Sequence, residues 1–158
     1  MKSKLNIDLI VVGSLKEKSL KSLSDEYAKR ISAYSKLEIK ELKDENNNLG
    51  KDMVLEKEKE KILKVIDKNS YIIIMDIDGK QCDSEQFAEK FINIATFHNS
   101  KVTFVIGGSH GLHSEIKNMA NEKISFSKMT FPHQLFRIML LEQSYRAFRI
   151  NNNSPYHK

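Results

Sequence analysis

Residues 102–111 read VTFVIGGSHG, an apolar and β-branched run that passes directly into a glycine-rich turn. A short run of this kind predicts a strand that is buried on both faces. Gly107 and Gly108 permit backbone conformations closed to other residues, and they let a ligand lie directly against the main chain. The segment therefore predicts a buried strand that ends at a ligand-binding loop.

Buried strands and amphipathic helices alternate along the rest of the chain. Further strands are predicted at Ile7–Val12, Leu37–Leu42, Tyr71–Ile77 and around Ile124–Phe126. Helices are predicted at Lys16–Tyr34, at Asp52–Asp67, from Ser84 as N-cap, from Ser114, and at Pro132–Phe148. This alternation has no internal repeat and no linker. It predicts one α/β domain over residues 1–158, with a mostly parallel sheet flanked by helices.

Three local patterns make predictions within these elements. Asp78-Gly79 closes the strand Tyr71–Ile77 and is typical of a turn. The charge run from Glu56 to Lys61 predicts a solvated helix face with i,i+4 partners. Glu142 and Arg146 are four residues apart in the last helix, so we expect them to pair.

The composition excludes several classes of protein. The chain has 158 residues, of which 40% are hydrophobic and 30% charged, an ordinary balance for a soluble domain. Its single cysteine, Cys82, excludes an intrachain disulfide and cysteine-based zinc frameworks, and no metal site is predicted. No secretory h-region and no apolar stretch of the roughly 20 residues of a membrane span is present. We therefore expect a cytoplasmic protein.

The net charge of +5 is unevenly placed. Residues 1–98 hold 18 basic and 18 acidic side chains, whereas residues 99–158 hold eight basic and three acidic ones. Of the four arginines, Arg137, Arg146 and Arg149 fall in this second segment. Arginine binds phosphate and carboxylate bidentately, as lysine does not. The pattern fits an anionic partner near the C-terminus and equally a solvated basic helix face.

Ligands of a parallel α/β sheet bind outside the carboxyl ends of its strands. We expect three loops at that edge: Ile77–Lys80, Gly107–Gly111 and Ser127–Phe131. The glycine loop has neither the spacing of the dinucleotide fingerprint nor the Gly-Lys-Ser/Thr of a phosphate loop. Nucleotide triphosphates are therefore not the predicted ligand.

The glycine loop also matches the G-x-S-x-G of a serine hydrolase, with Ser109 as nucleophile. A triad would need Glu115 or Glu142 as the acid and His133 or His157 as the base. Against this hypothesis, the chain is short for a hydrolase sheet, and Glu115 lies only six residues after Ser109.

Two features stand out beyond the glycine loop. The last helix carries apolar residues on more than one face, which predicts burial against both a core and a partner, and hence a homodimer. The chain then ends in Tyr156, His157 and Lys158. These are groups that stack on bases, transfer protons and bind phosphate.

Four stretches together resemble one known family. They read FVIGGSHGL at 104–112, SFSKMTFPHQL at 125–135, LEQSYRA at 141–147 and YHK at 156–158. They closely resemble the bacterial large-subunit rRNA pseudouridine N3-methyltransferases, minimal members of the SPOUT class. The likeness begins at VGSLKEK (12–18), covers the whole chain, and is loosest over residues 36–70.

The resemblance implies properties that periodicity and spacing do not. It implies a C-terminal trefoil knot, a homodimer, S-adenosylmethionine as methyl donor and a pseudouridine of 23S rRNA, met within the ribosome, as substrate. The residues implied for the methyl donor are Met75, Gly107, Phe126, Ser127, Lys128, Met129, Thr130 and Phe131. Those implied for catalysis are Arg146, Tyr156 and His157.

The role of each catalytic candidate follows from its chemistry. His157 is a candidate proton acceptor for N3 of the base, whereas a guanidinium could instead stabilise the imide anion without a general base. A third hypothesis, a non-catalytic RNA- or ribosome-binding module on the same fold, also stays open.

Overall fold

A computed structural model describes residues 4–158, apart from the side chain of Asn47. Within that range, five strands and five α-helices alternate, as the sequence predicts. The strands are β1 (Asn6–Val12), β2 (Leu37–Leu42), β3 (Tyr71–Lys80), β4 (Lys101–Ile106) and β5 (Glu122–Ile124). The helices are α1 (Lys18–Ile31), α2 (Lys51–Val65), α3 (Ser84–Phe97), α4 (Ser114–Met119) and α5 (His133–Asn151), and a single 3₁₀ turn spans Asn47–Leu49.

The strands of residues 4–158 form one parallel sheet in the order β2-β1-β4-β3-β5. β1 and β4 lie inside the sheet, in a register that places Leu9 beside Phe104. Their sequences are runs of β-branched and aromatic residues because helices cover both of their faces. The predicted α/β fold with a parallel sheet is confirmed.

Side chains of each strand alternate between two apolar cores, one on each face of the sheet. Leu9 and Phe104 face a core that α1, α3 and α5 cover. Ile10 and Val105 face the other core, which α2 and α4 cover. Burying one such side chain stabilises the fold by about 1.5–3 kcal/mol, so both helix layers are held mainly by these contacts.

Residues 76–80 differ from the predicted turn. Met75 and Lys80 both pair with Ile124, so the residues between them leave the regular register without ending the strand. An added Cβ at Gly79 would lie 2.8 Å from backbone atoms of Ile124. Glycine is therefore needed here for the close approach of two backbones, and the prediction of a simple turn is wrong.

The start of α3 also differs from the prediction. Asp83, and not Ser84, is the N-cap: its carboxylate accepts from the Gln86 backbone N–H at 2.7 Å, and the Gln86 side chain accepts from the Asp83 N–H at 2.9 Å. This reciprocal capping box satisfies two N–H groups that the helix cannot. The Ser84 hydroxyl is used instead to donate to Gln143 of α5 at 2.7 Å.

One side of α5 packs into the sheet's core, through Leu141, Tyr145 and Phe148. The opposite side carries Leu135, which is 42% exposed, and the half-buried Met139. Apolar residues on two faces were the basis for predicting a homodimer, which stays a prediction, as does the trefoil knot. Among residues 4–158, none of the helices combines the length and apolar character needed to cross a bilayer.

Candidate active site

A cavity of about 310 Å³ opens at the carboxyl edge of the sheet. It lies where β3, β4 and β5 end, the edge at which parallel sheets bind ligands. Its walls come from the segments after these strands and from the first turn of α5. Among the residues that line it are Met75, Asp76, Ile77, Gly107, Gly108, Ser109, Lys117, Phe126, Ser127, Met129, Thr130, Phe131, His133 and Phe136.

Seven of the eight residues predicted to bind the methyl donor line this one cavity. They are Met75, Gly107, Phe126, Ser127, Met129, Thr130 and Phe131. Lys128 belongs to the same loop but is exposed and does not line the cavity. The structure thus brings segments that are about 50 residues apart in sequence to one cavity. That these residues bind the methyl donor stays a prediction.

The glycine loop has no room for a side chain at Gly107. An added Cβ at Gly107 would lie 2.5 Å from the carbonyl oxygen of Gly111, far inside van der Waals contact. The Gly111 N–H donates to the Gly108 carbonyl at 3.0 Å, and Gly111 has a φ of +81°, which favours glycine. The loop is therefore a tight turn that leaves its backbone facing the cavity.

The loop after β5 supplies an apolar wall. The Phe126 and Phe136 rings lie 5.1 Å apart, and Phe131 stacks on Phe136 at 6.3 Å with planes only 17° apart. The Met129 N–H donates to the Ser127 hydroxyl at 3.0 Å, which holds the turn of this loop. Flat aromatic faces of this kind suit a planar, weakly polar ligand group such as a purine.

Sequence reasoning missed two charged side chains that line the cavity, Asp76 and Lys117, and named a third lining residue, His133, only for the hydrolase hypothesis. Asp76 follows Met75 at the exit of β3, Lys117 comes from α4, and His133 begins α5. The rule that ligands bind beyond strand ends could have found Asp76, because it is the first polar residue after the apolar run of β3. Lys117 gave no signal, since nothing in a six-residue helix distinguishes a cavity lysine from a surface one.

Behind the glycine loop lies a buried carboxyl group, that of Glu58 on α2. Its side chain is 4% exposed, and a Cβ at Gly108 would lie 3.1 Å from its Oε1. Oε2 accepts from the Glu45 N–H at 3.2 Å, whereas Oε1 has no hydrogen-bond partner among the described residues. The charge run 56–61 is therefore not the uniformly solvated face that was predicted.

Burial raises the pKa of the Glu58 carboxyl, and the negative charge of Asp44 adds to this, whereas the Glu45 N–H and Lys61 oppose it. A pKa raised in the folded state means that Glu58 favours folding most at low pH and loses that contribution as pH rises through the folded pKa. We therefore expect Glu58→Gln to be more stable than the wild type at pH 8, by about 1 kcal/mol, and nearly equal to it at pH 4.

Urea unfolding at both pH values measures this difference. Glu60→Gln, an exposed position on the same helix, is the matched control and should show no such pH dependence. An equal effect of Glu58→Gln at pH 4 and pH 8 would contradict an ionisable, desolvated Glu58.

The three predicted catalytic residues form one cluster. Arg146 Nη1 lies 3.1 Å from His157 Nδ1, and the guanidinium carbon lies 4.8 Å from the centre of the Tyr156 ring. Glu142 accepts from Arg146 Nε at 2.8 Å, which confirms the predicted i,i+4 pair. Tyr156 in turn packs edge-on against Tyr145 at 4.9 Å. The C-terminal tail is thus fastened to α5.

The pKa shifts of Arg146 and Tyr156 limit which residue of this cluster can act as a base. Its hydrogen bond with Glu142 raises the pKa of Arg146, so the guanidinium stays charged. Burial and the charge of Glu142 raise the pKa of Tyr156, so the phenol stays neutral near pH 7 and is no base there. That leaves the imidazole of His157 as the candidate proton acceptor among the cluster's predicted residues.

The cluster and the cavity are separate features of one chain. Arg146, Tyr156 and His157 do not line the cavity, although His133 and Phe136 of the same helix do. Two to four helical turns lie between them, at about 5.4 Å per turn. Within a single chain, the cluster and the cavity are therefore two separate places.

The other two C-terminal arginines have internal partners. Arg137 is 3% exposed; it forms an ion pair with Glu41 and donates to the Gly13 carbonyl at 2.9 Å. Arg149 donates to the Tyr34 hydroxyl at 3.4 Å and lies over the Tyr145 ring. Arg137 is therefore engaged inside the fold, where its guanidinium ties α5 to β2 and to Gly13 directly after β1.

The hydrolase hypothesis lacks its acid–histidine pair. Glu115 pairs with Lys59 at 3.4 Å, and Glu142 pairs with Arg146, so cations engage both candidate acids. Ser109 lines the cavity as a loop residue. Within residues 4–158, no group of three or more His, Cys, Asp and Glu side chains is arranged to hold a metal ion.

The parallel sheet, the glycine loop and the cavity at the carboxyl edge define an α/β protein built to bind a small ligand. The family model described as "Predicted SPOUT methyltransferase" matches residues 5–157, so the chain belongs to that family. The resemblance read from the sequence is thereby confirmed.

Curated relatives match along their whole length. The "Ribosomal RNA large subunit methyltransferase H" of Bacillus thuringiensis (strain Al Hakam) is 54% identical, over 98% of this chain and 100% of that protein. The protein of the same name from Bacillus cytotoxicus is 53% identical over the same shares.

Solved structures support the fold alone. A probable methylase family protein from Haemophilus influenzae superposes with a TM-score of 0.56 at 15% identity, over 98% of this chain and 71% of that one. The TrmH/SpoU tRNA modifying enzyme of A. aeolicus gives a TM-score of 0.50 at 10% identity, over 99% of this chain and 83% of that one.

Proposed function

We propose that this protein transfers the methyl group of S-adenosylmethionine to N3 of a pseudouridine in a 23S rRNA stem-loop, on assembled ribosomes in the bacterial cytoplasm. The observation that carries the proposal is the single cavity that gathers Met75, Gly107 and the loop after β5. Whole-length relatives named for the methylation of large-subunit rRNA support the substrate class. The choice of pseudouridine N3 follows from the family resemblance.

The residues of the cavity fit this methyl donor. Its volume of about 310 Å³ falls at the lower end of the range for small-molecule sites. Phe131 and Phe136 offer flat faces for adenine, and the bare backbone at Gly107 offers hydrogen-bonding groups close to the ligand. When bound, the sulfonium supplies an activated methyl group, so the protein needs to supply position rather than a covalent intermediate.

The transfer requires a deprotonated N3. N3–H of pseudouridine lies between two carbonyl groups and is weakly acidic. We infer that His157 accepts this proton, or that water takes it while the charged guanidinium of Arg146 stabilises the imide anion. The nitrogen lone pair then forms the N–CH₃ bond as the S–CH₃ bond breaks, leaving S-adenosylhomocysteine. Neutral Tyr156 is available to stack on the base.

We take the cavity and the cluster of Arg146, Tyr156 and His157 as the two half-sites of one active site. Their separation within a single chain supports a homodimer. In a twofold dimer, the tail of one protomer can meet the cavity of the other. The exposed face of α5 with Leu135 and Met139 offers an apolar surface for that pairing. The proposal includes the trefoil knot, which follows from the family resemblance.

Calorimetry and nucleoside analysis test this function together. We expect S-adenosylmethionine to bind with a dissociation constant far below about 1 mM. We also expect mass spectrometry of rRNA from a knockout strain to lack N3-methylpseudouridine, and purified protein to restore it on isolated ribosomes.

Other outcomes would favour the alternative functions. Binding to ribosomes with no binding of the methyl donor would indicate a non-catalytic module and contradict the proposal. Labelling by a fluorophosphonate that is lost in Ser109→Ala would restore the hydrolase hypothesis.

A further inference from the structure

An ion pair lies in the wall of the cavity. Lys117 Nζ of α4 lies 3.3 Å from Asp76 Oδ2, and the Asp76 side chain is 12% exposed. These are the charged side chains among the residues that line the cavity, with His133 as a third titratable group. Lys117 keeps 35% of its side chain exposed, whereas Asp76 is largely removed from water, which is costly for a carboxylate and calls for an explanation beyond packing.

Both partners retain hydrogen-bonding capacity. Asp76 Oδ1 accepts from the Asp78 N–H at 3.2 Å, which fixes the carboxylate, and each carboxylate oxygen can accept a further bond. Lys117 carries three N–H donors, and among the described residues its ammonium pairs with Asp76 alone. An anionic group and a cationic group of one ligand could therefore bind side by side.

The methyl donor has such an end. Its methionine portion carries an ammonium and a carboxylate on the same carbon, whereas the predicted residues that line the cavity offer apolar walls, hydroxyls and backbone. We propose that Asp76 binds the ammonium and Lys117 the carboxylate of S-adenosylmethionine, an inference that rests on the proposed function. The two side chains and the two ligand groups would then alternate in charge, so that each lies beside an opposite charge. Hydrogen bonds between charged groups are the strong ones.

A pair of ligands separates this role from general damage to the cavity. 5′-Methylthioadenosine keeps the adenine, ribose and sulfur but lacks the amino-acid end. We expect Asp76→Asn and Lys117→Gln each to lower the affinity for S-adenosylmethionine, measured by calorimetry, by roughly 10- to 100-fold, because each removes a charge-assisted hydrogen bond. The same variants should bind 5′-methylthioadenosine within about twofold of the wild type. Lys123→Gln, exposed on β5 and outside the cavity, is the matched control.

Each other outcome overturns the assignment. If Asp76→Asn lost the same affinity for both ligands, Asp76 would be assigned to ribose binding or to the fold. Unchanged affinity for both ligands would leave the Asp76–Lys117 ion pair without a binding role. If Asp76→Asn fails to fold, as judged by its melting temperature, the more exposed Lys117→Gln decides alone. Failure of the wild type to bind either ligand would instead refute the proposed function itself.

Discussion

Removal of Tyr156–Lys158 should abolish methyl transfer and leave the affinity for S-adenosylmethionine nearly unchanged. The tail carries two of the three residues proposed to bind the RNA and to accept the N3 proton. None of the three lines the cavity. A positioned acid–base group and its neighbours contribute on the order of 100- to 10,000-fold to rate, so turnover on ribosomes should fall by at least about 100-fold. Rate and calorimetric affinity are the two measurements.

Point variants separate catalysis from stability in this test. The ring of Tyr156 packs on Tyr145 and Arg146, and losing one aromatic contact costs about 0.5–1.5 kcal/mol. His157→Ala leaves that packing in place and should still reduce turnover strongly. Lys64→Ala, exposed on α2 against the other face of the sheet, is the control. Normal turnover by the truncated enzyme would refute the proposed role of the tail.

The sequence predicted well wherever local patterns reflect one physical cause. Strands buried on both faces need continuous apolar runs, so Ile7–Val12 and Val102–Ile106 were assigned correctly. Gly107 was expected to allow a close backbone approach, and the 2.5 Å clash of an added Cβ agrees. Glu142 and Arg146 met as predicted because their pairing depends only on helical spacing.

Prediction failed where one residue type serves several purposes or where the partner is distant in sequence. Gly79 reads as a turn residue, but it is required by the backbone of β5, more than 40 positions away. Arg137 reads as a surface cation, yet its partners Glu41 and Gly13 lie 96 and 124 residues away. Burial of Glu58 within a charge run has the same origin, because only the folded α2 shows which side faces the glycine loop.

Gly107→Ala should have the opposite signature to the tail deletion, with cofactor binding lost. The new Cβ would lie 2.5 Å from the Gly111 carbonyl oxygen and 2.7 Å from its carbon, so the loop has to move. Backbone strain of this kind costs about 1–3 kcal/mol, and displacement of the loop also removes its ligand contacts. We expect the affinity for S-adenosylmethionine to fall by more than about tenfold. Gly108→Ala is the control with a milder clash, because its Cβ would meet only side chains, those of Glu58 and Val12, at 3.1–3.3 Å.

The two inactive variants together test whether the site is shared between protomers. If the tail of one protomer completes the cavity of the other, a mixed dimer of Gly107→Ala and the tail deletion contains one intact pair of half-sites. Co-expression should then restore up to roughly half the specific activity of the wild type per mixed dimer, following from twofold symmetry. If each chain instead uses its own tail, every site in the mixture is defective. A mixture as inactive as its parents, with dimers shown to exchange, would therefore place tail and cavity of one protomer in the same site.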